Sequence, residues 1–133
     1  MGVHLSMAEA VKLGLVAPEK KVSKHRSIKT TIDGIVFASR REGSRYEMLK
    51  LLQRAGKVLK FELQPEFVLQ PGYRRNGRWV RPIKYRADFK IWWRDGRITI
   101  EDVKPASAYR TEKYRIKKKL LLARYSELNF VES

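Results

Sequence analysis

The chain has 133 residues, 43% hydrophobic and 33% charged, which is one domain's length and enough to bury roughly two thirds of its surface on folding. Lys and Arg number 30 against 14 Asp and Glu, a net charge of +16 that points to a polyanionic partner. Cysteine is absent and there are two histidines, so disulfides, zinc-thiolate sites and thiol nucleophiles are excluded, and any metal must be held by oxygen.

No run approaches the eighteen or so apolar residues of a membrane span, and the start lacks a basic segment followed by an apolar one; neither secretion nor membrane embedding is expected. Ser6 followed by Glu9 reads as a capping box opening a short helix over roughly 7–13, closed by Gly14 and Pro18. Residues 17–27 are polar, basic and aperiodic, an arm able to lie along a nucleic-acid backbone. The division expected is therefore an appendage over 1–27 and a domain over 28–133. Asp33-Gly34, between apolar runs 28–32 and 35–37, predicts a hairpin. Ser39 with Glu42 opens a helix over about 40–55, which Gly56 ends. Residues 61–69 alternate but contain Pro65, which suits an edge strand or a strand with a break. A polar loop with Asn76-Gly77 at its tip follows, then β-rich runs 84–93 and 97–104 joined at Asp95-Gly96. A second helix is expected over about 109–125 and a short strand over 128–131. The order is helix, three strands, helix, strand.

The positive charge is uneven. From Pro71 to Arg97 there are nine basic residues against Asp88 and Asp95 only, and from Arg110 to Arg124 seven against Glu112. Arg74, Arg75, Arg78, Arg81, Lys113, Lys117 and Lys118 are the expected nucleic-acid contacts, against the blander reading of a solvated basic face. Against that background the acids stand out. Glu42, Tyr46 and Leu49 share one helix face, so this carboxylate points with apolar side chains toward the sheet, unless it serves only the cap on Ser39. Asp102 and Lys104 are two apart in a strand and project together, a pair that also arises by chance on strand surfaces. A neighbouring strand carrying Asp88 can bring a second carboxylate beside Asp102, and two carboxylates at close range call for a divalent cation, Mg²⁺ being the natural choice beside phosphates.

These residues in this order resemble the PD-(D/E)XK nuclease superfamily, whose core runs α-β-β-β-α-β with an Asp on the second strand and acid-x-Lys on the third. More closely, 31–132 resembles a family of small phage and prophage proteins, of unknown function, within that superfamily. The likeness rests on Asp33-Gly34, Phe37-x-Ser39-x-x-Glu42, Leu63-Gln64-Pro65, Tyr85-x-Ala87-Asp88-Phe89 and Glu101-Asp102-Val103-Lys104. Ala87 stands before Asp88 where the superfamily pattern has Pro. The resemblance implies an α/β, restriction-endonuclease-like fold with a mixed central sheet flanked by helices. It also implies DNA cleavage dependent on Mg²⁺, with Mn²⁺ able to substitute, in the cytoplasm of a bacterial host and encoded by phage or prophage. Carried over by position, Asp88 and Asp102 are metal ligands with the Val103 carbonyl, Glu42 completes the shell directly or through water, Lys104 assists the nucleophile, and Gln64 touches the scissile phosphate or the water.

The reading expected is thus a structure-selective endonuclease on branched DNA such as Holliday junctions, working as a homodimer because a four-way junction is two-fold symmetric. A non-catalytic nucleic-acid-binding protein, and a nuclease or nickase without junction preference, are the alternatives. Trp79, Trp92, Trp93, Tyr73 and Tyr109 are candidates for base stacking, though strand aromatics are more often core. The pattern also contains a conflict. A two-residue Asp95-Gly96 turn sets Asp88 opposite Val103, so Asp88 and Asp102 point to opposite faces. Sharing a metal then requires a β-bulge in either strand, or a three-residue loop Arg94-Asp95-Gly96 with Gly96 at positive φ, or Glu101 as the second ligand in place of Asp102.

Overall fold

A computed structural model describes residues 28–133; the helix expected over 7–13 and the basic arm over 17–27 lie outside the described residues. β1 (Thr30–Ile32) and β2 (Ile35–Phe37) form the expected hairpin, and both turn residues, Asp33 and Gly34, take positive φ. α1 (Arg40–Arg54) starts where Ser39 Oγ accepts the Glu42 N–H at 3.1 Å, and Gly56, at φ +79°, carries the chain away from its end. Its buried face contains Glu42, Tyr46 and Leu49, the stripe that the spacing predicts, together with Gly43.

The next two runs are each longer than one strand. β3 (Val58–Leu63) and β4 (Glu66–Gln70) are separated at Gln64-Pro65, and β7 (Ile83–Arg86) and β8 (Phe89–Trp93) at Ala87-Asp88. β3 pairs with β8 and β4 with β7, both antiparallel, so one long ribbon bends where both of its strands break. Pro65 supplies the reason: it has no N–H for a ladder, and Gln64 before it turns back at φ +51°. Between β4 and β7, the stretch expected as a polar loop is itself a hairpin, β5 (Tyr73–Arg75) and β6 (Arg78–Val80). Asn76 and Gly77, both at positive φ, make its turn; polar side chains hid a strand pair that exposes both faces to water.

β9 (Ile98–Asp102) follows β8, and a 3₁₀ turn over Ala106–Arg110 precedes α2 (Glu112–Arg124), so the second helix begins later than its periodicity predicts. Thr111 Oγ1 caps α2 by accepting the Tyr114 N–H at 3.3 Å. β10 (Phe130–Glu132) runs parallel to β9. The central sheet has the order β10-β9-β8-β3, antiparallel except at β10, and is therefore mixed. The class is α/β, with a mixed sheet and two helices, and the central elements run α-β-β-β-α-β as expected.

Two cores hold the helices to the sheet. Tyr46 and Leu49 of α1 pack with Phe37, Val58, Phe89, Ile91 and Val103; Leu121 of α2 packs with Leu69, Tyr85, Ala87 and Ile100. Leu49, Phe89, Ile91 and Leu121 are fully buried, each contributing about 1.5–3 kcal/mol by removal from water. Among the described residues no helix is long and apolar enough to cross a membrane.

Candidate metal-binding and catalytic site

The bend in the ribbon puts Asp88 at the end of β8, next to the end of β9. Gln64 N–H donates to the Asp88 carbonyl at 2.9 Å and Ala87 N–H to the Pro65 carbonyl at 3.1 Å, carrying the ribbon across its break, while Asp88 N–H reaches the Glu101 carbonyl at 3.0 Å. The register between β8 and β9 then decides which side chains meet. Trp92 faces Ile98, Ile91 faces Thr99 and Phe89 faces Glu101 without a bulge, because the connection is the three-residue loop Arg94-Asp95-Gly96 with Gly96 at φ +96°. Trp93 N–H closes it on the Arg97 carbonyl at 2.9 Å. Continued by one step, this register sets Asp88 against Asp102 and resolves the conflict in favour of the three-residue loop.

Lys104 Nζ spans both carboxylates, 3.0 Å from Asp102 Oδ1 and 3.9 Å from Asp88 Oδ2. Asp88 Oδ2 also accepts the Val103 N–H at 2.6 Å, and Asp102 Oδ2 accepts the Tyr85 hydroxyl. Val103 thus meets Asp88 through its amide, whereas the resemblance assigns a role to its carbonyl. Glu42 arrives from the first turn of α1, 9% exposed, with its carboxyl close enough to Asp88 for the two charges to oppose each other. Ser39 still caps the helix, but the Glu42 carboxyl faces this cluster.

The electrostatics follow from burial. Removal from water is the main cause pushing the Glu42 carboxyl up to about 7; Asp88 and Asp102 add to the rise and Lys104 opposes it. Asp88 and Asp102 are raised as well, again chiefly by burial and against the pull of Lys104. Three carboxyls share one ammonium, so the cluster is short of positive charge at neutral pH. Asp102 is fully buried, and Lys104 Nζ at 3.0 Å is the counter-charge on its Oδ1.

An oxygen-liganded divalent cation fits that deficit, with Asp88 and Asp102 as ligands and Glu42 beside them. Among the described residues no group of three or more acidic or histidine side chains is placed to hold a metal ion, so Glu42 does not join Asp88 and Asp102 as a third ligand in this arrangement, and a cation on the two aspartates would fill its shell with water and substrate oxygens. Glu101 does not join them. It is buried, and Arg45 of α1 grips it at 2.6 and 3.0 Å, with Ser133 Oγ at 3.2 Å; it ties the helix to β9. Gln64 is exposed at the bend, its backbone beside Asp88.

The basic residues fall into two groups. Lys113 and Lys117 of α2 line a cavity of about 580 Å³ with Lys104, Tyr85 and Tyr114, and with Lys84 and Arg86, which both pair with Glu66 in the same wall; the cavity meets the carboxylate cluster through Lys104 and Tyr85. Lys118 is not among the lining residues and pairs with Glu132 at 3.0 Å, so its charge is already engaged. Arg74, Arg75 and Arg78 sit on the β5–β6 hairpin with Arg81 just beyond it, and none of them lines that cavity. Lys84 and Arg86 belong to the basic stretch singled out in the sequence, whereas the roles of Tyr85, Arg45 and Tyr114 were not foreseen. Tyr85 has the alternation of a core aromatic, and nothing local announces that its hydroxyl meets an acid seventeen residues away.

A family model described as "Protein of unknown function (DUF1064)" matches residues 22–132. No curated protein matches the chain.

Proposed function

We propose that this chain, which belongs to the DUF1064 family, is a Mg²⁺-dependent endonuclease of the PD-(D/E)XK type that hydrolyses phosphodiester bonds in DNA. One observation carries the reading: in a chain of net charge +16, Glu42, Asp88, Asp102 and Lys104 converge from a helix and two strand ends onto one buried, under-compensated cluster. A protein that only bound a polyanion would gain nothing from acids there, since they repel phosphate. A metal site gives them a purpose.

When bound, Mg²⁺ would supply Lewis acidity, lowering the pKa of a coordinated water and neutralising charge on the phosphate. The chain's own groups do the remainder. Val103 N–H fixes the Asp88 carboxylate and the Tyr85 hydroxyl fixes that of Asp102, so neither has to reorient. The Lys104 ammonium orients the attacking water and stabilises negative charge on the phosphate in the transition state. Glu42 stands beside the two aspartates and would complete the shell through water. Lys113 and Lys117 draw the backbone toward the carboxylates.

Branched DNA as substrate, a homodimer that supplies two sites to a two-fold symmetric junction, Mn²⁺ as a substitute and a cytoplasmic, phage-derived setting extend the same proposal. The test is cleavage of labelled four-way junction, duplex and single strand, with Mg²⁺ or with EDTA. Wild type should cut only with the metal, and Asp102→Ala should bind DNA as well or better without cutting it. Cleavage in EDTA, or by Asp102→Ala at the wild-type rate, sinks the metal-site reading, and binding without cleavage of any of the three substrates in Mg²⁺ leaves a non-catalytic binding protein.

A further inference from the structure

The β5–β6 hairpin lies away from the carboxylate cluster and has its own chemistry. Arg74 faces Trp79 across the two strands, and Arg75 faces Arg78. Like charges directly opposite one another in a ladder cost stability, and nothing acidic on this hairpin offsets that pair. Trp79 is 56% exposed, an unusual position for the largest apolar side chain. Its ring nevertheless does not hang free. A Cβ built on Gly72 would fall 2.3 Å from Trp79 Cζ2 and 2.6 Å from Cη2, so the ring lies on the bare backbone of Gly72, in space that only glycine leaves. The benzo ring of the indole is thereby held against Gly72, while 56% of the side chain stays open to water. Arg74 is also held, its guanidinium donating to the Gly77 carbonyl at 3.3 Å.

We propose that this hairpin is a stacking platform for an unpaired nucleotide: a base stacks on the exposed indole of Trp79, and Arg75 with Arg78 takes the neighbouring phosphates. A pre-ordered ring loses little rotamer freedom on binding, and base–aromatic stacking tolerates any sequence because every base presents a π face. A phosphate beside Arg75 and Arg78 relieves their mutual repulsion. A base paired within a duplex is stacked on both sides and offers no face, so the platform discriminates for single-stranded or opened DNA. The proposal narrows the substrate class given above; it rests on nucleic acid being the partner, but not on cleavage.

The test uses the full chain in EDTA, where nothing is cut. Binding of a labelled oligothymidylate and of a blunt duplex of equal length is followed by anisotropy, and tryptophan emission is recorded in the same titration. The oligothymidylate should quench wild-type emission more than the duplex does. Trp79→Ala should weaken single-strand affinity about tenfold with duplex affinity unchanged, and Trp79→Phe, which keeps a ring, should retain most of it. Gly72→Ala should act like Trp79→Ala by displacing the ring, and an unchanged thermal midpoint shows that the exposed variants still fold. Equal losses on both ligands, or none on either, overturn the proposal. So does a wild-type dimer that Trp79→Ala makes monomeric, which would make the ring a contact between copies of the chain. A protein that binds as expected yet never cuts any DNA with Mg²⁺ removes the nuclease reading and leaves the platform standing.

Discussion

Glu42→Gln should stabilise the metal-free protein, and by an amount set by pH. The Glu42 carboxyl ordinarily titrates at 4.5 and the folded surroundings push it to about 7, mainly through burial. Between those values the folded chain holds a proton that the unfolded chain has released, so stability falls as pH rises through this window and the whole cost is present above it. A rise from 4.5 to about 7 costs about 3 kcal/mol at pH 8 and less than about 1 kcal/mol at pH 5. Gln has nearly the shape of Glu and stays neutral. At about 4 °C per kcal/mol for a domain of this size, the variant should melt roughly 10 °C above wild type at pH 8, and by only a few degrees at pH 5. Thermal unfolding in EDTA at the two pH values measures this. Adding Mg²⁺ at pH 8 should then stabilise wild type more than the variant, because the cation supplies the missing positive charge. An equal gain at both pH values would show that Glu42 is not charged at a cost in the fold, and a loss at pH 8 would refute the reasoning outright.

Lys104→Ala removes the one cation that opposes the raised carboxyls, so turnover should drop while stabilisation by Mg²⁺ persists or grows; loss of that stabilisation would make Lys104 a structural strut. Arg45→Ala leaves the buried Glu101 carboxylate without its guanidinium and should cost about 3 kcal/mol in urea unfolding, whereas Arg45→Met combined with Glu101→Leu should be close to neutral. DNA affinity should fall with salt at a log–log slope steeper than about −2, and neutralising Arg74, Arg75 and Arg78 together should flatten that slope alike on every sequence, since these residues are assigned to the backbone. A sequence-selective loss would assign them to bases instead.

What the sequence determined by itself is local. Ser39 as cap, the apolar stripe of α1, and the turns at Asp33-Gly34 and Asp95-Gly96 depend on residues within a few positions of each other, where side-chain hydrogen bonds and allowed φ settle the outcome. The charge excess, the absence of cysteine and the i, i+2 relation of Asp102 to Lys104 were legible for the same reason. Even the Asp88–Asp102 conflict could be framed in advance, as a choice among a bulge, a longer loop and a different acid, because strand parity is strict. Choosing among them needed the tertiary structure: which loop length wins depends on β8 pairing with β3 as well as β9, a constraint that enters from thirty residues upstream. The split of two apparent strands into a bent ribbon is of the same kind. Pro65 marks one break locally, but Ala87-Asp88 breaks because its partner does. Glu101 and Asp102 are adjacent acids that no local rule separates; alternation sends one to Arg45 and the other to Tyr85 and Lys104, and only the packing of α1 and the bent ribbon about β9 decides which partner each carboxylate meets.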